Sequence, residues 1–269
     1  MSPSAPGLGR TGDPTISSDF IHVSQEARVQ RIVIDRPRKR NALTGGMYAA
    51  IADAFASGEA DPSVRVHYVT GVGTVFTAGN DMASFIDPKA GLTKVLRVIE
   101  GLRTLRKPLV VAVNGTAVGI GVTMLLHADL VYAAQSATFK TPFVELGVVP
   151  EAGSSVLMPL AMGYPRAARM LLLGEVFDAA LAYESGLIGQ IVDDEQLAQV
   201  AFAGATTLAT RPPAAVKAAK SLMRRVGREA LKEQIDVETK VFSERLASPE
   251  LIEAVTAFLQ KRPPVFADD

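Results

Sequence analysis

The stretch Leu109-Val-Val-Ala-Val-Asn-Gly-Thr-Ala-Val-Gly-Ile-Gly-Val-Thr123 contains the signals of a strand, a turn and the beginning of a helix. Its first five residues are all apolar, as expected of a strand that is covered on both faces of a sheet. Asn114-Gly115 predicts a turn, and a helix is predicted from about Gly119 to His127. Backbone N–H groups in the first turn of such a helix have no partner within the helix, so they can hold a negative charge.

Strands and helices alternate along most of the remaining chain. Apolar patterns between turn residues predict five further strands, at 20–23, 29–34, 64–70, 130–133 and 189–192. Helical spacing of apolar residues predicts helices at 44–57, 91–106, 154–161 and 165–173. Thr44 is expected to cap the first of these helices, and Asp178 is expected to cap a further short one. Because every pattern after Glu195 is helical, the order of elements indicates an α/β core followed by a helical region.

Composition excludes several classes of protein. The chain has 269 residues, of which 48% are hydrophobic, and its 28 basic residues balance its 28 acidic ones. No run of like charges is long enough to indicate a nucleic-acid partner. Cysteine is absent, which excludes disulfides and thiolate chemistry. No apolar stretch reaches the roughly 18 residues of a membrane span. Residues 1–18 lack the pattern of a signal peptide, and their Pro, Gly and Ser content predicts a disordered leader.

One glutamate is the best candidate for acid–base chemistry. Glu151 lies in the loop segment Val149-Pro-Glu-Ala-Gly153, near further valines that could remove it from water. Burial raises the pKa of a carboxyl group toward the range that a general base needs. A carboxylate beside an anion-binding helix start can move protons on a carbon next to a carbonyl group. Glu145 is a second candidate, and for a glutamate in such a loop an ordinary solvated position is the alternative.

The segment Phe76–Asp81 provides a second turn with a free N–H group. A strand is expected to run into Gly79, which leaves the N–H of Asn80 without a partner. If this group and the N–H of Ile120 point to one position, they form an oxyanion hole. Glycine turns after strands are common, so a purely structural role for both turns remains the alternative.

Neither a metal ion nor a cofactor is predicted. The histidines at 22, 67 and 127 are not spaced as ligands, and His127 is interpreted as a helix-end residue that interacts with the helix dipole. The chain has no HExxH or GxSxG motif. Gly71-Val-Gly73 lacks the third glycine of a dinucleotide-binding fingerprint.

Several segments, taken in order, resemble the crotonase superfamily of enoyl-CoA hydratases and isomerases. The resemblance covers roughly residues 18–262, and the segments that carry it are Ile34-Asp-Arg-Pro37 with Asn41-Ala-Leu43, Phe76–Asp81, Asn114–Gly121, Ala137–Phe143, Leu146–Glu151 and Tyr183–Ile188. It implies a crotonase-like spiral of strand–strand–helix turns at 19–200. It also implies a C-terminal helical region at 201–269 that packs homotrimers, which often pair into homohexamers.

The resemblance further implies an acyl-CoA substrate, with the thioester enolate held by the N–H groups of Asn80 and Ile120. Other positions match those that contact CoA in the family, namely Arg38, Lys39, Arg40, Ala78, Asp81, Met82, Phe258 and Lys261. The three basic residues could form charge-assisted bonds to phosphate, and a solvated loop is the alternative for them. Helix packing is the alternative for Phe258. Because the chain lacks a C-terminal peroxisomal tripeptide, a cytoplasmic setting is expected.

The reaction implied by the resemblance depends on which acids are missing. Family hydratases carry glutamates at the positions that match Thr123 and Phe143, so the usual pair of acids for adding water is absent here. The chain is more similar to the 3,2-trans-enoyl-CoA isomerase branch, particularly its peroxisomal-type members, whose single catalytic glutamate matches Glu151. This implies isomerisation of 3-enoyl-CoA to trans-2-enoyl-CoA, as in fatty-acid β-oxidation. The alternatives are a hydratase-like enzyme that uses Glu145 or Glu151, and a non-catalytic protein that binds acyl-CoA or a partner.

Overall fold

The computed structural model describes residues 19–82 and 88–266. The strands of this part of the chain are β1 (Ile21–Glu26), β2 (Val29–Ile34), β3 (Val66–Gly71), β4 (Val75–Thr77), β5 (Leu109–Val113), β6 (Thr116–Val118), β7 (Leu130–Ala134), β8 (Thr138–Lys140), β9 (Phe177–Asp178) and β10 (Gln190–Val192). The larger sheet has the order β1-β2-β3-β5-β7-β10. Only β1 and β2 pair antiparallel in it, and the other neighbours are parallel.

The central strand β5 confirms the prediction of a covered strand. All five of its residues have no exposed surface, because β3 and β7 flank it in the sheet and the helix at Leu197–Thr210 packs against it. The other five predicted strands, at 20–23, 29–34, 64–70, 130–133 and 189–192, are also present as β1, β2, β3, β7 and β10, with bounds that differ by at most a few residues. The α/β class predicted from the alternation of elements is confirmed.

A second, smaller sheet has the order β4-β6-β8-β9. The sequence did not predict its strands, apart from the short run that precedes Gly79, because strands of two or three residues show no recognisable period. β4 pairs parallel with β6. Since β4 ends just before the Asn80 turn and β6 ends just before the Ile120 turn, this pairing places the two turns next to each other.

Helices cover the sheets and continue to the end of the described chain. They are α1 (Gly45–Ala60), α2 (Pro88–Thr104), α3 (Ile120–Thr123), α4 (Ser154–Met162), α5 (Tyr164–Leu171), α6 (Ala179–Glu184), α7 (Leu197–Thr210), α8 (Pro213–Met223), α9 (Arg228–Arg245) and α10 (Pro249–Gln260). Both predicted caps are confirmed: Thr44 accepts a hydrogen bond from the N–H of Met47 at 3.4 Å, and Asp178 accepts one from Leu181 at 2.8 Å.

The helix predicted at 119–127 is correct in position but not in type. Only Ile120–Thr123 is α-helical, and Met124–His127 continues as a 3₁₀ helix. Tightening of this kind is frequent at helix C-termini. As a result the free N–H groups at the helix start belong to a single α-helical turn at the junction between the two sheets.

The predicted division of the chain into regions stays a prediction. The leader at 1–18 lies outside the described residues. The proposed boundary at residue 200 falls within α7, which packs on β3, β5 and β7 of the larger sheet. None of the helices in the described part of the chain combines the length and apolar character that crossing a bilayer requires. The cytoplasmic location also stays a prediction.

Candidate active site

The carboxyl group of Glu151 lies inside the protein with one of its oxygens unpaired. Thr123 Oγ1 donates a hydrogen bond to Glu151 Oε1 at 2.5 Å. The second oxygen, Oε2, is buried and has no hydrogen-bond partner among the residues that the structure describes. A buried polar atom without a partner is costly and therefore uncommon. A ligand that occupies the adjoining cleft would supply the missing interaction.

The surroundings of Glu151 bring the pKa of its carboxyl group close to neutral pH. Burial is the main cause that raises the pKa of Glu151, the hydrogen bond from Thr123 opposes the rise, and the charge of Glu238 adds to it, so that the pKa moves from 4.5 to about 7. A carboxyl group with this pKa is populated in both forms near neutral pH, so it can take up a proton and return it. Glu151 as a whole is half-buried, but its Oε2 atom is fully buried, so the predicted removal from water is confirmed for that oxygen. The catalytic role of Glu151 stays a prediction.

A strained turn follows Glu151 directly. Ala152 has φ of 58° and Gly153 has φ of 75°, so two consecutive residues are left-handed. For alanine this conformation costs about 1–2 kcal/mol relative to the right-handed region. Residues in such conformations persist only where their surroundings hold them, and they are concentrated at functional sites.

His127 ends a 3₁₀ helix, as predicted, but it holds this turn from one side and does not act through the helix dipole. It is buried, and its Nε2 donates a hydrogen bond to the carbonyl oxygen of Ala152 at 2.8 Å. Burial lowers the pKa of His127 to about 4, so the ring is neutral at pH 7. The helix-dipole explanation fails because it requires a protonated, solvated imidazole.

The two N–H groups predicted to bind an oxyanion are both free. The N–H of Ile120 begins α3 and has no acceptor within the helix, and neither this N–H nor that of Asn80 donates to any residue in the described part of the chain. The turns are in close contact, since a Cβ atom added to Gly79 would lie 2.9 Å from the carbonyl oxygen of Val118. Asn80, Ile120 and Glu151 line the same cleft.

The glycines around Ile120 have different structural roles. Gly119 has φ of 56°, a positive value that glycine adopts without the strain that a side chain would cause. Gly121 is instead required for close packing, because a Cβ atom there would lie 2.5 Å from Thr77 Cγ2. Thr77 in turn donates a hydrogen bond to the carbonyl oxygen of Asn41 at 2.7 Å, which ties the strand before the Asn80 turn to the rest of the site.

The cleft has a volume of about 990 Å³, within the range of pockets that bind small molecules. Its apolar lining comes from α2, α9 and the segment between β8 and α4. These apolar residues are Leu92, Val95, Leu96, Ile99, Phe143, Leu146, Val148, Phe242 and Leu246. Tyr48 of α1 also lines the cleft, and burial together with the charge of Glu151 raises the pKa of its hydroxyl group.

Most of the residues predicted to contact CoA border this cleft. They are Arg38, Lys39, Arg40, Ala78, Asp81, Met82 and Phe258. Lys261 does not line the cleft that one chain forms. The CoA contacts predicted for all eight residues stay predictions. Asp81 also has a structural role, since its Oδ2 lies 2.6 Å from Nη1 of Arg36. This ion pair joins the segment at 78–82 to the chain just before residues 38–40.

The other titratable groups in the described part of the cleft offer no second acid of the hydratase type. Glu145 is 44% exposed in its side chain and lies 2.7 Å from Lys140 Nζ, so it is an ion-paired residue at the cleft. Phe143 is buried, and Thr123 is fully buried against Glu151. Among the described residues, no three His, Asp or Glu side chains are grouped so that they could hold a metal ion.

Three important neighbours of Glu151 were not found by sequence reasoning. In the sequence, Thr123 stands out only because it is not an acid, Tyr48 is one residue of a predicted helix, and Glu238 shows no distinguishing pattern. Thr123 is 28 residues away from Glu151, and Glu238 is 85 residues away from Gly153, whose N–H it accepts. No local pattern marks a glutamate in a long helix as a partner of a distant loop.

Comparison with known proteins agrees with this geometry. The profile of the enoyl-CoA hydratase/isomerase family matches residues 24–269. The chain is 36% identical to 1,2-epoxyphenylacetyl-CoA isomerase of Escherichia coli, over 92% of this chain and 98% of the relative. It is 34% identical to enoyl-CoA delta isomerase 2 of Rattus norvegicus, over 97% of this chain and 68% of the relative.

A solved structure agrees as well. The enoyl-CoA hydratase/isomerase from Pseudoalteromonas atlantica superposes with a TM-score of 0.89 and 41% identity, over 93% of this chain and all of that one. The resemblance to the crotonase superfamily and the predicted crotonase-like fold are therefore confirmed. The chain belongs to the enoyl-CoA hydratase/isomerase family and is an enzyme of that family.

Proposed function

We propose that this enzyme isomerises 3-enoyl-CoA to trans-2-enoyl-CoA, with Glu151 as its base and acid. One observation carries the proposal. Among the described residues, three carboxyl groups line the cleft, and two of them, Asp81 and Glu145, are paired with Arg36 and Lys140. Of these three groups, only Glu151 keeps a buried oxygen without a partner, and it lines the cleft together with the free N–H groups of two turns.

The reaction needs one proton shuttle and one stabilised anion. Glu151 Oε2 takes a proton from C2 of the acyl chain, and the electron pair of that bond moves toward the thioester oxygen. The N–H groups of Asn80 and Ile120 hold the dienolate oxygen. The protonated Glu151 then returns the proton to C4, which moves the double bond from C3–C4 to C2–C3. No water molecule is consumed, so one carboxyl group is sufficient.

The lining also favours a class of acyl group. The residues from α2 and α9 that border the cleft are mostly aliphatic or aromatic, and the nearby Lys140 is neutralised by Glu145. A second carboxylate on the acyl chain would be buried there without a partner, at a high cost. We therefore expect an uncharged acyl chain to be preferred over a dicarboxylic one.

The test is to offer purified protein 3-hexenoyl-CoA and crotonyl-CoA separately. We expect conversion of the first to trans-2-hexenoyl-CoA without appreciable hydration of the second. Hydration of crotonyl-CoA in the absence of isomerisation would assign a hydratase function instead. Tight binding of both compounds with turnover of neither would assign the non-catalytic alternative.

The pH dependence of the reaction should follow the ionisation of Glu151. Its pKa of about 7 predicts that kcat/KM rises with pH through that value as the carboxylate form becomes populated. The Thr123→Val variant keeps the shape of the side chain but removes the hydrogen bond that stabilises the ionised form of Glu151. The inflection of the pH–rate profile of this variant should therefore move to higher pH. A pH–rate profile of both proteins measures this, and an unmoved inflection would show that the titrating group is not Glu151.

We further propose that the protein forms homotrimers or homohexamers. Neighbouring elements from α4 to α6 carry large exposed apolar side chains, namely Leu160, Tyr164, Leu172, Leu173, Val176 and Tyr183. A second group of exposed apolar side chains lies in the C-terminal helical region that is predicted to pack trimers, and it includes Leu222, Met223, Val226, Ile252 and Leu259. Groups of exposed apolar residues mark interaction surfaces. Light scattering after size exclusion should give at least three times the chain mass, and Leu173→Asp should lower it. The control Val72→Asp, in the turn before β4, should leave the mass unchanged, and a monomeric wild-type protein would contradict the proposal.

A further inference from the structure

The turn that follows Glu151 is held by a carboxylate from a distant helix. Glu238 of α9 is buried, with 5% of its surface exposed. Its Oε2 accepts a hydrogen bond from the N–H of Gly153 at 2.6 Å, and its Oε1 accepts one from the N–H of Ser155 at 3.0 Å. The hydroxyl group of Ser155 donates a further hydrogen bond to the same Oε1. Burial raises the pKa of Glu238, and the hydrogen bonds from Gly153 and Ser155 oppose that rise because donors favour the ionised carboxylate.

The carboxylate of Glu238 and the ring of His127 hold the turn through different peptide groups. His127 donates to the carbonyl oxygen of Ala152, while Glu238 accepts from the N–H of the next residue. Between these contacts lies the left-handed backbone of Ala152, which an isolated alanine would not adopt. N–H groups in left-handed or turn backbone can form a concavity that binds anions. Here the anion is the carboxylate of Glu238, which accepts from the N–H groups of Gly153 and Ser155, while the N–H of Ser154 donates to the carbonyl oxygen of Glu151.

We infer that Glu238 is a positioning residue for Glu151: its carboxylate fixes the strained turn at Ala152 and Gly153 and so aims the Glu151 carboxyl group at the substrate. The inference rests on the proposed role of Glu151 as the base. Glu238 itself does not line the cleft. It therefore acts through the backbone and through its charge, and it does not contact the substrate.

The charge of Glu238 gives the inference a distinctive signature. Tyr48 and His127 are both buried in their neutral forms, since burial raises the pKa of the first and lowers that of the second. Thr123 faces Glu151 with a hydroxyl group that carries no charge. Glu238 is thus the nearby group whose charge disfavours ionisation of Glu151. The charges of three cations, namely Arg103, Lys220 and Arg224, act on His127 and lower its pKa.

The Glu238→Gln variant separates positioning from simple stability. The amide can accept on one side only, so either the Gly153 or the Ser155 contacts lose their acceptor. With a misplaced base, kcat should fall by roughly 10²-fold, while KM changes little because the cleft lining is retained. The loss of the neighbouring negative charge should move the inflection of the pH–rate profile to lower pH.

The matched control is Ile235→Val on the same helix. Ile235 is buried, and its side chain lies against the same Gly153 turn, but it carries no charge and no hydrogen bond. This control should lower the melting temperature without moving the inflection. If Glu238→Gln lowers kcat only in proportion to its folded fraction, with the inflection in place, Glu238 is merely structural and the inference is wrong.

A substrate-free titration keeps this test independent of the proposed reaction. The Glu151 resonance in protein labelled with ¹³C at the glutamate carboxyl is identified by its loss in Glu151→Gln. It should titrate near pH 7 in the wild-type protein and at lower pH in Glu238→Gln. If the Glu151 titration moves to lower pH in Glu238→Gln but the wild-type protein has no isomerase activity, the result supports the action of Glu238 on Glu151 and rejects only the proposed reaction. Identical titrations in an active isomerase would overturn the inference and leave the reaction in place.

Discussion

Glu151→Gln is expected to remove nearly all isomerase activity from this enzyme. The amide can still accept the hydrogen bond from Thr123 Oγ1, so the side chain should keep its position. It cannot take up the C2 proton or deliver one to C4. General acid–base catalysis contributes roughly 10²–10⁴-fold, and we expect the loss in kcat to lie at the upper end because one group performs both transfers. Steady-state rates with 3-hexenoyl-CoA measure it.

The same variant should be at least as stable as the wild-type protein at pH 8. The pKa of Glu151 is about 7 in the folded state, above its ordinary value of 4.5. Between these values the folded protein binds more protons than the unfolded chain, so stability falls as pH rises through this window. Glutamine escapes that loss. A higher melting temperature together with lost activity would identify Glu151 as a functional residue that costs stability.

Glu145→Gln is the control for this experiment. Glu145 also lines the cleft, but it is partly exposed and paired with Lys140. Its removal should leave kcat close to the wild-type value. If Glu145→Gln abolished turnover while Glu151→Gln retained it, the assignment of the base would be wrong. A hydratase-like enzyme that uses Glu145 would then be the better description.

The parts of the site that could be predicted from sequence are those whose function depends on local backbone. The N–H of Ile120 is free because it begins a helix after Gly119, and both features are visible within four residues. Asn80 follows a glycine turn in the same way. The removal of Glu151 from water was suggested by the apolar residues beside it. In each case the physical cause lies within a short segment.

The rest of the site depends on contacts between distant parts of the chain. The second sheet consists of very short strands, so only the assembled fold shows that the two turns meet. His127 was misinterpreted because its position at a helix end suggested solvent, whereas the fold buries it against the Ala152 turn. Glu238 gave no signal, because a helix of 18 residues rich in charge resembles any solvated helix until its packing is known.

Ile120→Pro is expected to remove one oxyanion donor while leaving the helix start intact. Ile120 is the first residue of α3, a position where proline is well tolerated because the N–H there has no helical partner. The substitution deletes the free N–H and places a methylene group at that point. The loss of one oxyanion-hole donor typically lowers kcat by roughly 10²–10³-fold. We expect a fall of that size in kcat/KM with 3-hexenoyl-CoA.

Ile120→Ala is the matched control, because it removes the buried side chain but keeps the N–H group. Both variants lose packing, at a cost of roughly 2–5 kcal/mol for an isoleucine truncated to alanine. Melting temperatures and circular dichroism should show that both remain folded at the assay temperature. The difference in kcat/KM between the two proteins then reports the N–H group alone. If proline and alanine variants turned over substrate equally fast, the Ile120 N–H would not contact the enolate oxygen, and the anion would have to be held elsewhere in the cleft.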